Sequence, residues 1–324
     1  MYTYPMNDNP PFFGIVISVL FLTACSAGIA AAQLTGDAEF PQSRAVPLPC
    51  SRVAFEHEGQ EWTRYHFGPS LKRPFWYPLV SRSGYRVTRM GNPQSPQGER
   101  HHYSVWLSHQ NVAGTSFWED GGPSKIVHVA LDRFVDETGL AAVTTDNEWR
   151  DGAGRVLLRE RRMTTVRPLD KQSWLMQIDV EFAPAKGENS VVLGKTAYGL
   201  LGVRVAKTMD LVHGRGRILD SEGRRNEAEI FRKPARWVDF SGRVAKDAIA
   251  GVALFDYPDN CTFPTPFHVR DVGFMMPSIT LNEAIEVTKD KPLKVRYGLW
   301  VHDRLPAKEE IEAAWKRFTQ PTED

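Results

Sequence analysis

Three of the chain's nine histidines fall within one stretch, Gly98 to Asp120, where His101, His102 and His109 are interspersed with Trp106, Asn111, Gly114, Trp118, Glu119 and Asp120. Imidazoles change charge near neutral pH, so they can move protons or, when neutral, ligate a divalent metal. On a strand alternate side chains share a face, which groups His102 with Ser104 and Trp106, sets Tyr103, Val105 and Leu107 opposite, and leaves His109 just past the strand. One reading is a cleft in which His102, His109 and Asn111 point between the walls Trp106 and Trp118, an arrangement suited to a sugar ring or a metal ion. The other is a half-buried strand whose histidines make structural hydrogen bonds. The residues alone leave both open.

A second group lies far downstream. Tyr257 to Asp271 contains three prolines, which predicts a stiff loop presenting Asn260, His268 and Arg270. Between the two groups, alternation places Val127, Val129, Leu131 and Val135 toward a core and His128 toward a cleft. Together these residues compose an acid–base site. His102, His109 or His268 would move protons, Asp239 or Glu222 would orient them or act as the acid partner, and Arg270 would hold a carboxylate or enolate-like oxygen. Trp106, Asn111, Trp118, His128 and Asn260 would contact substrate. We expect His102, His109, Asn111 and Trp118 to share one concave pocket with His268 and Arg270, the arginine keeping the imidazoles neutral. A His-bound divalent metal is a further possibility, with His101 or His102, His109 and His268 as ligands. Against it, there is no His-Glu-x-x-His, and neighbours on a strand such as His101 and His102 point apart.

The elements that would position these residues read as strands. Apolar runs at Val53–Phe55, Trp62–Phe67, Phe75–Val80 and Tyr85–Arg89 are separated by turn residues, and Asp151-Gly152 marks a hairpin. Trp174, Met176, Ile178, Val180 and Phe182 alternate with Gln177, Asp179 and Glu181, a long antiparallel strand with one wet face. Ile249 to Asp256 is apolar on both faces and reads as a buried central strand, and Leu293 to Val301 alternates again. One convincing helix follows, Pro306 to Phe318, with Ile311, Ala314, Trp315 and Phe318 on one side. The expectation is an all-β fold, an antiparallel β-sandwich with a C-terminal helix, formed by a single domain over residues 52–319. Residues 320–324 would be a tail. No phosphate-binding glycine pattern and no internal repeat is present.

With 40 Lys and Arg against 39 Asp and Glu, the chain has no global field to attract nucleic acid. Phe12 to Ala24 is apolar and has the length of a signal-peptide core, so residues 1–32 read as an export signal and 33–51 as a tether. Leu22-Thr-Ala-Cys25 fits a lipobox, which would anchor the protein to a membrane through lipid on Cys25. Ala30-Ala-Ala32 fits ordinary cleavage, and the choice stays open. Either way the protein is expected outside the cytoplasm, periplasmic or on the outer membrane. Whether Cys50 and Cys261 pair there is also open.

Several motifs occur in order: Arg73-Pro-Phe-Trp-Tyr-Pro-Leu79, His101-His102, Asn111-Val-Ala-Gly-Thr-Ser-Phe-Trp118, Ile126-Val-His128, Ser221-Glu-Gly223, Trp237-Val-Asp-Phe-Ser-Gly242, Phe255-Asp-Tyr-Pro-Asp-Asn260 and His268-Val-Arg270. Over roughly residues 50–318 the chain resembles the bacterial family labelled methane oxygenase PmoA-like. Where that family usually has His-Pro-His-His-Arg-Gly, this chain has Gly-Glu-Arg-His-His-Tyr-Ser. Since no segment beyond residue 32 can span a membrane, the resemblance does not imply a membrane monooxygenase. It implies an exported β-sandwich of galactose-mutarotase-like supersandwich outline from polysaccharide-degrading bacteria. The function expected is a lyase or hydrolase on glycosides or oxidised sugars; a non-catalytic sugar-binding or cell-surface module and a His-ligated metal enzyme are the alternatives.

Overall fold

The computed structural model describes residues 40–91 and 99–320. The expected signal segment with Cys25, residues 33–39 of the expected tether, the loop containing Pro93 and Pro96, and residues 321–324 lie outside the described residues. Strands are numbered in chain order. One sheet has nine, in the order β1 (Ser43–Leu48), β2 (Arg52–His57), β3 (Gln60–His66), β4 (Phe75–Trp76), β5 (Val105–His109), β11 (Gly199–Arg204), β17 (Phe274–Pro277), β16 (Pro266–Arg270) and β13 (Lys233–Pro234). The other has eight, in the order β12 (Arg217–Asp220), β14 (Trp237–Ala245), β15 (Ala248–Asp256), β19 (Leu293–Asp303), β9 (Ser173–Pro184), β8 (Val156–Asp170), β7 (Ala141–Arg150) and β6 (Lys125–Asp136). A separate pair joins β10 (Ser190–Leu193) to β18 (Ile285–Thr288). The ladders are antiparallel throughout, and the fold is an all-β sandwich.

Period-two alternation builds the layer between the sheets. On β9, Trp174, Met176, Ile178, Val180 and Phe182 are buried in the same core as Val105, Leu107, Leu201, Val203, Val269 and Met275 from the facing sheet. Burying one such side chain is worth roughly 1.5–3 kcal/mol, so a one-residue slip in register would be heavily penalised. The outward residues of β9 divide: Leu175 packs under a helix, while Gln177, Asp179 and Glu181 face solvent. β15 is buried along nearly its whole length, as an apolar strand between β14 and β19 must be.

The C-terminal helix, α2 (Lys308–Thr319), lays Ile311, Ala314 and Phe318 on Leu175, Trp237, Phe255 and Trp300. The Glu310 carboxylate accepts the Ala307 backbone N–H at 2.8 Å, Glu309 and Glu310 occupy the first turn and Lys316 and Arg317 the last, all favourable to the helix dipole. No helix among the described residues is long and apolar enough to cross a membrane.

The structure corrects the sequence reading in four places. Part of the expected tether, Ser43–Leu48, is β1, fully paired with β2. β6 is an edge strand with two register shifts, so Val129 is exposed, while His128 stays on the buried side, 4.2 Å from the Phe67 ring between centroids. The proline-stiffened loop ends early: Pro266 begins β16, so His268 and Arg270 are strand residues. A second, five-residue helix, α1 (Asn226–Ile230), precedes β13. The expected hairpin does form, with Asp151 Oδ1 accepting the N–H groups of Ala153 and Arg155 at 3.0 and 2.9 Å.

Candidate active site

On the outer face of the nine-stranded sheet, register brings distant residues into one row. Phe274 of β17 lies opposite Arg204 of β11 on one side and Arg270 of β16 on the other. Next along, His268 faces Met276, and on the other flank Trp106 of β5 faces Gly202. Their sequence neighbours Val203, Val269 and Met275 point into the core. Alternation therefore turns Arg204, His268 and Arg270 outward together. A side chain at Gly202 could not fit, as its Cβ would come within 2.7 Å of the Trp106 indole.

Above this row lies a cleft of about 340 Å³ lined by His101, His102, Trp118, Tyr198, His268 and Arg270, with Gln110, Glu119, Arg204 and Phe274. Of the residues expected to share one pocket, His102, Trp118, His268 and Arg270 meet here, whereas His109 and Asn111 do not. Both imidazoles rest on Phe274: His102 stacks at 4.9 Å between ring centroids and His268 makes an edge contact at 5.7 Å. Tyr198 bridges the aromatic walls, 5.3 Å from Trp118 and 5.2 Å from His268. His101 and His102 do not point apart, because Glu99–His101 is a turn of 3₁₀ helix; both face the cleft, with ring centroids 4.4 Å apart. Tyr103 likewise joins the His102 side, since Ser104, at φ 55°, breaks the strand alternation.

The wall is held by a buried arginine. Arg73 donates to the carbonyls of His101 and Trp118 at 3.0 and 2.8 Å and to Asp120 Oδ1 at 3.1 Å. Asp120 also accepts the Tyr103 hydroxyl at 2.5 Å. One guanidinium thus ties together both ends of the histidine-rich stretch.

Burial, then the neighbouring cations, fixes the charge of the imidazoles. Loss of solvent, followed by His101 and Arg204, lowers the His102 pKa to about 2. Burial and then Arg270 and Arg232 bring His268 to about 4. Both are neutral at neutral pH, and each has its Nδ1 buried without a hydrogen-bond partner. Glu119 has a pKa below the usual value: burial alone would raise it, but hydrogen bonds from Ser116 and Gln110 outweigh that.

Other residues proposed from sequence lie elsewhere. His109 is buried, with Nε2 2.8 Å from Thr280 Oγ1 and Nδ1 accepting the Asn111 N–H at 3.1 Å, so neither nitrogen is free for chemistry. Asn111 closes its own loop by accepting the Gly114 N–H at 3.0 Å. Trp106 is wholly buried beneath the cleft. Asp239 lies on the outer face of the other sheet, paired with His302 at 3.0 Å and Arg217 at 3.3 Å. Glu222 is an exposed partner of Arg236 at 3.3 Å. Asn260 is buried and clamps β19, receiving the Arg296 N–H at 2.8 Å and donating to Asp256 at 2.7 Å. His128 lines a separate hollow with Phe67 and Leu71.

Cys50 and Cys261 are both free thiols. Among the described residues no three His, Cys, Asp or Glu side chains stand together as a metal ligand set. Sequence reasoning passed over Tyr198, Arg204, Glu119 and the positioning residue Arg73. The signal for Arg204 was present, a charged residue on the outward parity of an otherwise apolar strand.

Residues 52–316 match the model of a family of unknown function, DUF6807. The chain belongs to that family. No curated protein matches the DUF6807 chain. Among solved structures, a heparan sulfate lyase HepC mutant from Pedobacter heparinus is similar over 82% of this chain and 37% of its own, with a TM-score of 0.38 and 10% identity. The DUF6807 chain therefore spans little more than a third of that protein's length.

Proposed function

We propose that this DUF6807 member is an exported enzyme acting on sugars by general acid–base chemistry in the His102–His268 cleft, cleaving by elimination rather than hydrolysis. The observation that carries the proposal is the placement of one imidazole, His268, in the cleft beside a guanidinium, Arg270, two residues along the same strand face. A neutral imidazole accepts a proton, and a fixed cation stabilises the negative charge that develops when a proton leaves carbon. The cleft volume of about 340 Å³ suits a small ligand or the end of a longer one. Tyr198, only partly buried, gives an apolar face for a ring, and the buried Trp118 backs the cleft wall behind it.

Hydrolysis of a glycosidic bond ordinarily needs two carboxyl groups, about 5–9.5 Å apart. The described lining has one carboxylate, Glu119, and it is engaged by Ser116 and Gln110. Elimination requires a base and an electrophilic anchor, which match the groups present. Export is part of the proposal, motivated by the apolar run Phe12–Ala24; natively expressed protein retaining Met1 in the cytoplasm would contradict it.

The test is an assay of purified protein on a panel of oligosaccharides, following new reducing ends and ligand-induced tryptophan fluorescence. Turnover that His268→Ala abolishes while binding persists supports the proposal. Binding without turnover in the wild type would favour the sugar-binding module instead.

A further inference from the structure

Resting on that functional reading, we infer that the cleft's substrate is an acidic sugar whose carboxylate is taken by Arg270, with Tyr198 as the proton donor to the departing oxygen. Arg270 is already set up as a carboxylate receptor. Its Nε is paired with Glu227 Oε1 at 3.0 Å, the side chain is half exposed, and the ring of Phe231 lies 5.8 Å beneath the guanidinium. Glu227 is fixed in turn: its other oxygen accepts the Asp271 N–H at 2.9 Å, and its own N–H donates to Asp271 Oδ1 at 2.9 Å. The reciprocal latch between α1 and the end of β16 fixes Glu227 against the Arg270 Nε, and Arg270 lines the cleft, where its terminal nitrogens would bind a planar carboxylate by parallel hydrogen bonds.

Tyr198 stands beside His268, with ring centroids 5.2 Å apart. A base and an O–H donor side by side are what a β-elimination requires. With Nδ1 of His268 buried, the base would be Nε2, in the tautomer that carries its proton on Nδ1. Nε2 would take the proton from the carbon bearing the carboxylate. The released electron pair forms a C=C bond to the neighbouring ring carbon, whose C–O bond to the next sugar breaks. The leaving oxygen takes the Tyr198 hydroxyl proton. The products are an unsaturated acidic sugar and a sugar with a new hydroxyl, and transfer of the proton from His268 back to the tyrosinate through solvent resets the site. No water, oxidant or reductant is consumed. Arg270 holds the carboxylate through the step in which it carries extra charge.

The experiment uses matched pairs of oligosaccharides, each containing uronate residues in one form and the same residues reduced to primary alcohols in the other. Three readouts are followed: ultraviolet absorbance of a conjugated alkene, new reducing ends, and tryptophan fluorescence for binding. Uronate forms should give one unsaturated end per new reducing end, with the reduced forms slower by at least about 100-fold, as expected when a bidentate carboxylate contact is lost. Tyr198→Phe should lower kcat by about 10²–10⁴ with KM little changed, whereas Arg270→Lys should raise KM. Saturated products, or equal turnover of the reduced forms, would overturn the inference while leaving a sugar-active cleft standing. An unchanged kcat for Tyr198→Phe would remove Tyr198 from its role. Absence of binding and cleavage with every sugar would defeat the underlying functional reading as well.

Discussion

His268 and His302 make an instructive pair. Both are strand residues on the outer face of a sheet, and both are almost fully buried, at 5% and 1% exposure. The surroundings of His302 are closed. Its Nε2 lies 3.0 Å from Asp239 Oδ1, and Asp239 Oδ2 also accepts the Ser241 hydroxyl at 2.6 Å and Arg217 at 3.3 Å. Gly251 gives the ring its space, since a Cβ there would sit 2.3 Å from the imidazole. Among the described residues His268 has no acid partner. It faces Arg270 and Arg232, one nitrogen is unsatisfied, and open volume lies beside it. A histidine paired with an aspartate has the form of catalytic machinery, yet it is the unpaired one that retains the capacity to react.

Substitutions at the two sites should separate them. His268→Gln, which keeps most of the side-chain volume, is expected to lower turnover on an acidic oligosaccharide by about 10²–10⁴ while moving the urea midpoint little. If activity survived, the contrast would collapse. Asp239→Ala should behave in the opposite way, leaving the buried His302 ring and Ser241 hydroxyl without their acceptor and costing about 1–3 kcal/mol for each unsatisfied group in urea unfolding, with kcat of the remaining folded protein unchanged. A fall in kcat without loss of stability would instead make Asp239 part of the chemistry.

Acid should expose the neutral imidazoles as well. Because His268 has a folded pKa near 4 and an unfolded one near 6.5, the unfolded chain binds more protons between those values. Stability should therefore fall as pH drops from about 6.5 to about 4 and level off below, while His102, at about 2, extends the loss further down. Thermal unfolding across this range should show a shallower slope in His268→Gln; an identical slope would deny that His268 is held neutral. Glu222→Ala gives the smallest expected effect, within about 0.5 kcal/mol and with unchanged rate, as an exposed ion pair predicts.

The fold was largely legible because a sandwich is specified by alternation. β9, β15, β19 and α2 occur where period and polarity place them. The site was only half legible, since a cleft depends on register between strands far apart in sequence. That His268 and Arg270 share a row with Phe274 follows from pairing of β16 with β17, which no local pattern encodes. His109 misled because its position in a histidine-rich stretch resembles that of His102, while one residue of parity turns it inward to Thr280. Asp239 and Asn260 misled for another reason: buried polar residues that satisfy neighbours have the same composition as those that await a substrate.

The most direct test of the account is the protonation of His268 itself, followed by nuclear magnetic resonance of ring-labelled histidine, with the resonance assigned by its absence in His268→Gln. The account predicts a neutral ring down to about pH 4 and a shift of that resonance when an acidic oligosaccharide is added. A ring that titrates near 6.5, or one that saturating acidic sugar leaves unmoved, would contradict it.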